Sequence, residues 1–135
     1  MLEIPVYLIT GFLESGKTTF IREVLASPDF ADGEKTLLLL CEEGEEEYDK
    51  KEYARHNIEI VSVENEEDLT PEYLEYCQKY YRPYRVFVEF NGMWDAKKFS
   101  ESRLPRRWEI VQVITLVDGS TFGVYLANMR SILSN

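Results

Sequence analysis

Gly11, Gly16, Lys17 and Thr18 stand at the spacing G-x-x-x-x-G-K-[ST], in a stretch GFLESGKT that follows the apolar run IPVYLIT and precedes a helical pattern. Residue types and spacing together suit one task, cradling a chain of phosphates. Gly11 lets the backbone turn out of a strand, and Gly16 lets it approach an oxygen with no Cβ in the way. The N–H groups of Leu13, Glu14, Ser15, Gly16, Lys17 and Thr18 can then converge on phosphate oxygens at the positive end of a helix dipole. Lys17 would neutralise the β and γ phosphates, the Thr18 hydroxyl would be a ligand of Mg²⁺, and Thr19 would hydrogen-bond the α phosphate. Strand, loop, Lys-Thr and helix agree, so the pattern reads as a P-loop.

Other acidic residues could act beside it. Glu89 closes the apolar run YRVFVEF (84–90), where its carboxylate could reach a Mg²⁺-bound water or orient an attacking one. Asp118 ends the run EIVQVITLV (109–117); it suits a supporting role near the metal or a cap on a helix beginning near Ser120. The six carboxylates of EEGEEEYD (42–49) read either as a switch-like loop, in which Glu42 and Glu43 could hold a cation with Cys41, or as a solvated acidic turn.

The elements that must position these groups follow from the apolar pattern. Five short runs rich in β-branched, leucine or aromatic residues, at 4–10, 36–41, 58–63, 84–90 and 109–117, predict strands. Helical patterns lie between them, at 17–26, about 49–56, 71–81 behind Thr70-Pro71, and 94–101. The alternation, with strands too apolar to leave a face in water, predicts a parallel α/β sheet flanked by helices on both sides. Residues 120–135 place Val124, Leu126, Ala127, Met129, Ile132 and Leu133 near a helical stripe, and no strand follows. Residues 1–135 are therefore expected to be one P-loop domain, incomplete at its C-terminus.

Composition excludes several partners. The 135 residues are 44% hydrophobic and 30% charged, enough for one packed domain. A net charge of −10 repels phosphate backbones and anionic lipid, which argues against nucleic acid and membrane as main partners. The opening MLEIPVYLIT has neither a basic leader nor the length of a span. Cys41 and Cys77 fit no zinc spacing, and with His56 the only histidine no zinc site can be assembled from soft ligands. Reduced thiols and a cytoplasmic location are expected.

PVYLITGFLESGKTTFI resembles the opening of the CobW/HypB/UreG family of P-loop GTPases, in its CobW-like branch. VFVEFNGMW supplies Glu89 and Gly92 where that family has E-x-x-G. LLLLCEEGEEEYD resembles its second strand and the segment beyond, with Glu43, Gly44 and Asp49 in register, and VITLVDGSTF resembles its later strand ending in Val-Asp-x-x-x-Phe. The resemblance spans nearly the whole chain. It implies a GTP-binding, Mg²⁺-dependent NTPase, a hydrolase acting as a metallochaperone that gates delivery of a metal or cofactor to a metalloprotein client.

Three departures stand out. Glu14 replaces a small residue beside the phosphate loop, ENEEDLTP (64–71) stands where the metal-handling branch has Cys-x-Cys-Cys, and no [NT]KxD guanine-reading segment occurs. In the family that segment lies on a strand beyond a helix resembling the last one here, so the resemblance implies that the chain is the first part of a longer protein. No thiolate zinc site is therefore expected, and the short chain would hydrolyse GTP weakly or not at all. Two other functions fit a P-loop: a small-molecule kinase, which would need the basic stretch RLPRRW (103–108) as a lid, and a degenerate binding module without catalysis.

Overall fold

The computed structural model describes residues 3–11, 17–27, 30, 32–41, 49–63, 65–90, 93–116 and 124–127. In chain order these form β1 (Ile4–Gly11), α1 (Lys17–Ala26), β2 (Thr36–Leu40), α2 (Lys50–Arg55), β3 (Ile58–Ser62), a 3₁₀ turn (Glu66–Asp68), α3 (Pro71–Tyr81), β4 (Arg85–Glu89), α4 (Met93–Ser100), β5 (Trp108–Leu116) and β6 (Val124–Ala127). The five predicted strands and four predicted helices form within a residue or two of their expected bounds.

One sheet runs in the order β3-β2-β4-β1-β5-β6, and β1 to β5 are parallel. The leucines of β2 show why. Leu37 and Leu39 pack into one core with Leu74 and Cys77 of α3 and Phe99 of α4, while Leu38 and Leu40 pack into another with Ile21 and Leu25 of α1. A strand buried on both faces needs helices on both, and successive side chains point to opposite faces. Ile21 and Leu25, four apart, meet the sheet on one side of α1.

Local signals fix the helix ends. Thr70 Oγ1 accepts from Tyr73 N at 3.1 Å with Pro71 opening α3, and Asp49 accepts from Lys51 N and Glu52 N to cap α2. His56 closes α2. Among the described residues, no helix is long and apolar enough to cross a membrane.

Two readings require correction. Of the helical stripe read over 120–135, Val124–Ala127 is instead a strand, β6, antiparallel to β5 from Val113↔Ala127 to Leu116↔Val124, while Met129, Ile132 and Leu133 lie outside the described residues. Without it, the outer edge of β5 would leave a row of backbone donors and acceptors unpaired, a stronger demand than weak periodicity. The second concerns Tyr73, Tyr76, Cys77 and Tyr80, whose helical spacing in the sequence predicts one packing face. Leu74 and Cys77 are buried and Tyr73 packs against them, but Tyr76 and Tyr80 are 52% and 67% exposed. Residues four apart share a helix row, so 73 and 77 face the sheet while 76 and 80 form the next row and stack on each other at 5.5 Å. Burial pushes the Cys77 thiol up, as expected of an inert core cysteine.

β5 contains an irregularity that no spacing announced. Val6 pairs with Ile110 but Tyr7 with Gln112, so Val111 is an extra residue and the strand changes phase. Ile110 and Val113 consequently enter the same core.

A buried charge ties the amino ends of the strands together. Arg85, 5% exposed at the start of β4, donates from Nη1 to Phe30 O at 3.1 Å and Thr36 Oγ1 at 3.2 Å, and is ion-paired through Nη2 to Asp32. The guanidinium also lies 5.2 Å from the Phe30 ring centre. Hydrogen bonds from Arg85 first, then from Glu34 N, hold the Asp32 carboxyl below its ordinary value of 3.8. A carboxylate with a depressed folded value contributes stability that is present above the unfolded value and lost as pH falls through the folded one. The melting temperature of Asp32→Asn should therefore trail the native protein at about pH 7, with the gap closing below 3.8. A gap that stays constant with pH would show that this ion pair is not the source.

Candidate functional site

The two cores assign the helices to faces. α1 and Tyr53 of α2 pack on one side, α3 and α4 on the other. β1 is followed by a helix on the first face and its neighbour β4 by a helix on the second. The carboxyl ends of β1 and β4 thus flank the place where the winding reverses, which in open parallel sheets is where ligands bind.

The predicted residues converge there as far as they are described. Gly11 is the last residue of β1, paired with Leu116 of β5, and Lys17, Thr18 and Thr19 form the first turn of α1. The positive end of that helix opens at the rim of the central strand. Glu89 is the last residue of β4, opposite Ile9 of β1 and Leu40 of β2. Its backbone is held on both sides: Glu89 O accepts from Cys41 N at 3.1 Å, and the following Phe90 N donates to Ile9 O at 2.8 Å. Leu13, Glu14, Ser15, Gly16, Glu42, Glu43 and Asp118 lie outside the described residues.

Burial gives Glu89 its character. A strand-end glutamate in solvent would have meant little, but Glu89 is only 4% exposed. Phe87, two residues earlier, packs in the core containing Ile21 and Leu25, so the strand alternation puts Glu89 on the α1 face, the side on which Lys17 starts its helix. A carboxylate taken out of water is costly without compensation, and such residues concentrate where chemistry needs them.

Sequence reasoning passed over Thr10. It is fully buried between Ile9 and Gly11, pairs with Thr115, and its Oγ1 has no hydrogen-bond partner among the described residues. The available signal was a hydroxyl in an otherwise apolar strand, one residue before the glycine.

Comparison with known families agrees with this geometry. The model of the CobW/HypB/UreG nucleotide-binding domain matches residues 5–132. The chain belongs to the CobW/HypB/UreG family. No curated protein and no solved structure matches the chain. For a CobW/HypB/UreG nucleotide-binding domain, the parallel sheet with a glycine loop leaving its central strand is the expected scaffold. The match extends from Pro5, ahead of the glycine loop, through β6.

Among the described residues no three His, Cys, Asp or Glu side chains gather as a metal site. The donors that suit a nucleotide with Mg²⁺ are of another kind: a lysine and a hydroxyl at a helix N-terminus, with a buried carboxylate on the adjacent strand. That set fits the group, because Mg²⁺ bound to phosphates takes few protein ligands and keeps much of its water.

Proposed function

We propose that this domain binds GTP with Mg²⁺ at the carboxyl ends of β1 and β4 and hydrolyses it slowly, gating delivery of a metal or cofactor to a client metalloprotein. The observation that supports this most is the pairing of β1 with β4, which brings the helix opened by Lys17 and the buried Glu89 to one rim on one face.

The chain's residues divide the work. Backbone N–H groups from Leu13 to Thr18 hold phosphate oxygens, Lys17 neutralises charge on the β and γ phosphates, and Thr19 contacts the α phosphate. The Thr18 hydroxyl and Glu89 hold the metal side, and Glu89 orients the water that attacks the γ phosphorus in line. Bound Mg²⁺ would supply further neutralisation of the charge building on the leaving group.

The net charge of −10 opposes an anionic ligand, but its reach is short. Beyond about 8–10 Å it is screened at physiological salt, whereas the helix end and Lys17 act in contact with the phosphates. The local term wins.

Release of inorganic phosphate from Mg-GTP tests the reaction. Slow, Mg²⁺-dependent release is expected; transfer of the phosphoryl group to a small molecule would contradict it and support a kinase. The fold disfavours that alternative. Arg107 O accepts from Ile4 N, at the amino end of β1. Eight residues of strand, roughly 25 Å, separate that end from Gly11, so the basic stretch 103–107 is misplaced for a lid.

Base selectivity should be poor in this chain. It has no [NT]KxD segment, and a carboxylate on the guanine N–H groups would contribute about 1.5–3 kcal/mol for each charge-assisted bond. Competition between GTP and ATP is expected to show a preference within roughly tenfold, about 1.4 kcal/mol. A preference of about a hundredfold or more would show that other residues here read the base.

A further inference from the structure

At the amino ends of β1, β4 and β5, away from the nucleotide rim, lies a cavity of about 660 Å³ lined by Lys79, Arg82, Arg107, Gln78, Tyr84 and Glu3, among others. Cavities of this size suit small molecules. Three cationic side chains and one carboxylate line it, in a chain whose net charge is −10.

The backbone makes the arginines unusual. The described residues with positive φ are Gly33 (80°), Asn57 (63°), Arg82 (48°) and Arg107 (76°). Glycine and asparagine enter this region readily; other side chains do so at a cost. Arg82 sits just beyond α3, a position where glycine is the usual choice. Both unfavoured residues are arginines, and both line the same cavity. Backbone conformation favours a long side chain at neither position.

The surroundings hold both arginines in place. Arg82 N donates to Gln78 O at 3.0 Å, and Arg107 O accepts from Ile4 N at 2.6 Å. The Trp108 indole donates from Nε1 to Gln78 Oε1 at 2.6 Å, joining α3 to β5 under the cavity. Arg82, Arg107 and Lys79 line one cavity, and guanidinium and ammonium groups suit the oxygens of a multiply charged anion. Tyr84, 46% exposed, also lines the cavity.

We propose that this cavity is a second binding site, for a small multivalent oxyanion such as a polyphosphate or polycarboxylate, independent of the P-loop. The Trp108 indole N–H reports on it directly, because its acceptor Gln78 lines the cavity; Trp94→Phe identifies its NMR signal. Citrate and inorganic pyrophosphate would be titrated into the chain carrying Lys17→Ala, so that the P-loop does not contribute. A saturable shift of the Trp108 signal is expected with at least one probe, and which probe works identifies polycarboxylate or polyphosphate as the ligand class.

The double variant Arg82→Gly/Arg107→Gly should weaken this binding at least tenfold without lowering the melting temperature, since glycine suits both backbones. Arg82→Gln/Arg107→Gln, which keeps length without charge, should lose as much. Absence of a shift with both probes, a non-saturating shift, or undiminished affinity in either double variant would overturn the proposal.

Discussion

Replacing Lys17 by alanine should lower the affinity for Mg-GTP at least about a hundredfold while leaving the fold intact. Under the proposed function Lys17 would contribute charge-assisted hydrogen bonds to two phosphates, each worth about 1.5–3 kcal/mol, and a hundredfold is about 2.7 kcal/mol. The fold should survive because Lys17 is the first residue of α1, where alanine is at least as good a helix former. The packing of α1 comes from Ile21 and Leu25, which the change does not touch. Calorimetric titration of the variant reads the affinity, and circular dichroism the fold. Equal affinity in the two proteins would remove Lys17 from the site.

Glu89→Gln should separate binding from chemistry. The amide keeps the shape of the buried side chain but can neither accept a proton from water nor present a full charge to a metal-bound one. Loss of a positioned acid–base group costs about 10²–10⁴ in rate, so single-turnover phosphate release should fall by that range. Triphosphate affinity should change only a few-fold, because the P-loop contacts remain. Loss of binding together with rate would instead mark Glu89 as part of the nucleotide's ground-state hold.

These two residues differ in how far the sequence revealed them. The Gly11 to Thr18 spacing is local, and its meaning needs only a strand before and a helix after, so it was legible at once. Glu89 is 72 positions from Lys17. Its identity could be read, but its burial and its face depend on β4 lying beside β1, which no local pattern states. The strands themselves were legible because runs such as TLLLL have one plausible environment, covered on both sides. Thr70-Pro71 gave the start of α3 for the same local reason.

What escaped was long-range. Arg85 and Asp32 are joined across 53 residues, and only the folded sheet brings the guanidinium to Asp32, Phe30 and Thr36. β6 was misread because four residues are too few for periodicity to decide between helix and strand; pairing with β5 decides it. The tyrosines of α3 misled because aromatic residues usually pack. Which row faces the sheet was set by Leu74 and Cys77, leaving Tyr76 and Tyr80 in solvent.

Under the proposed function the carboxyl ends of β1 and β4 hold a nucleoside triphosphate. Isothermal titration of the 135-residue chain with Mg-GTP tests it most directly. One molar equivalent should bind, appreciably tighter than about 1 mM, or −4.1 kcal/mol. No saturable binding up to that concentration would contradict it.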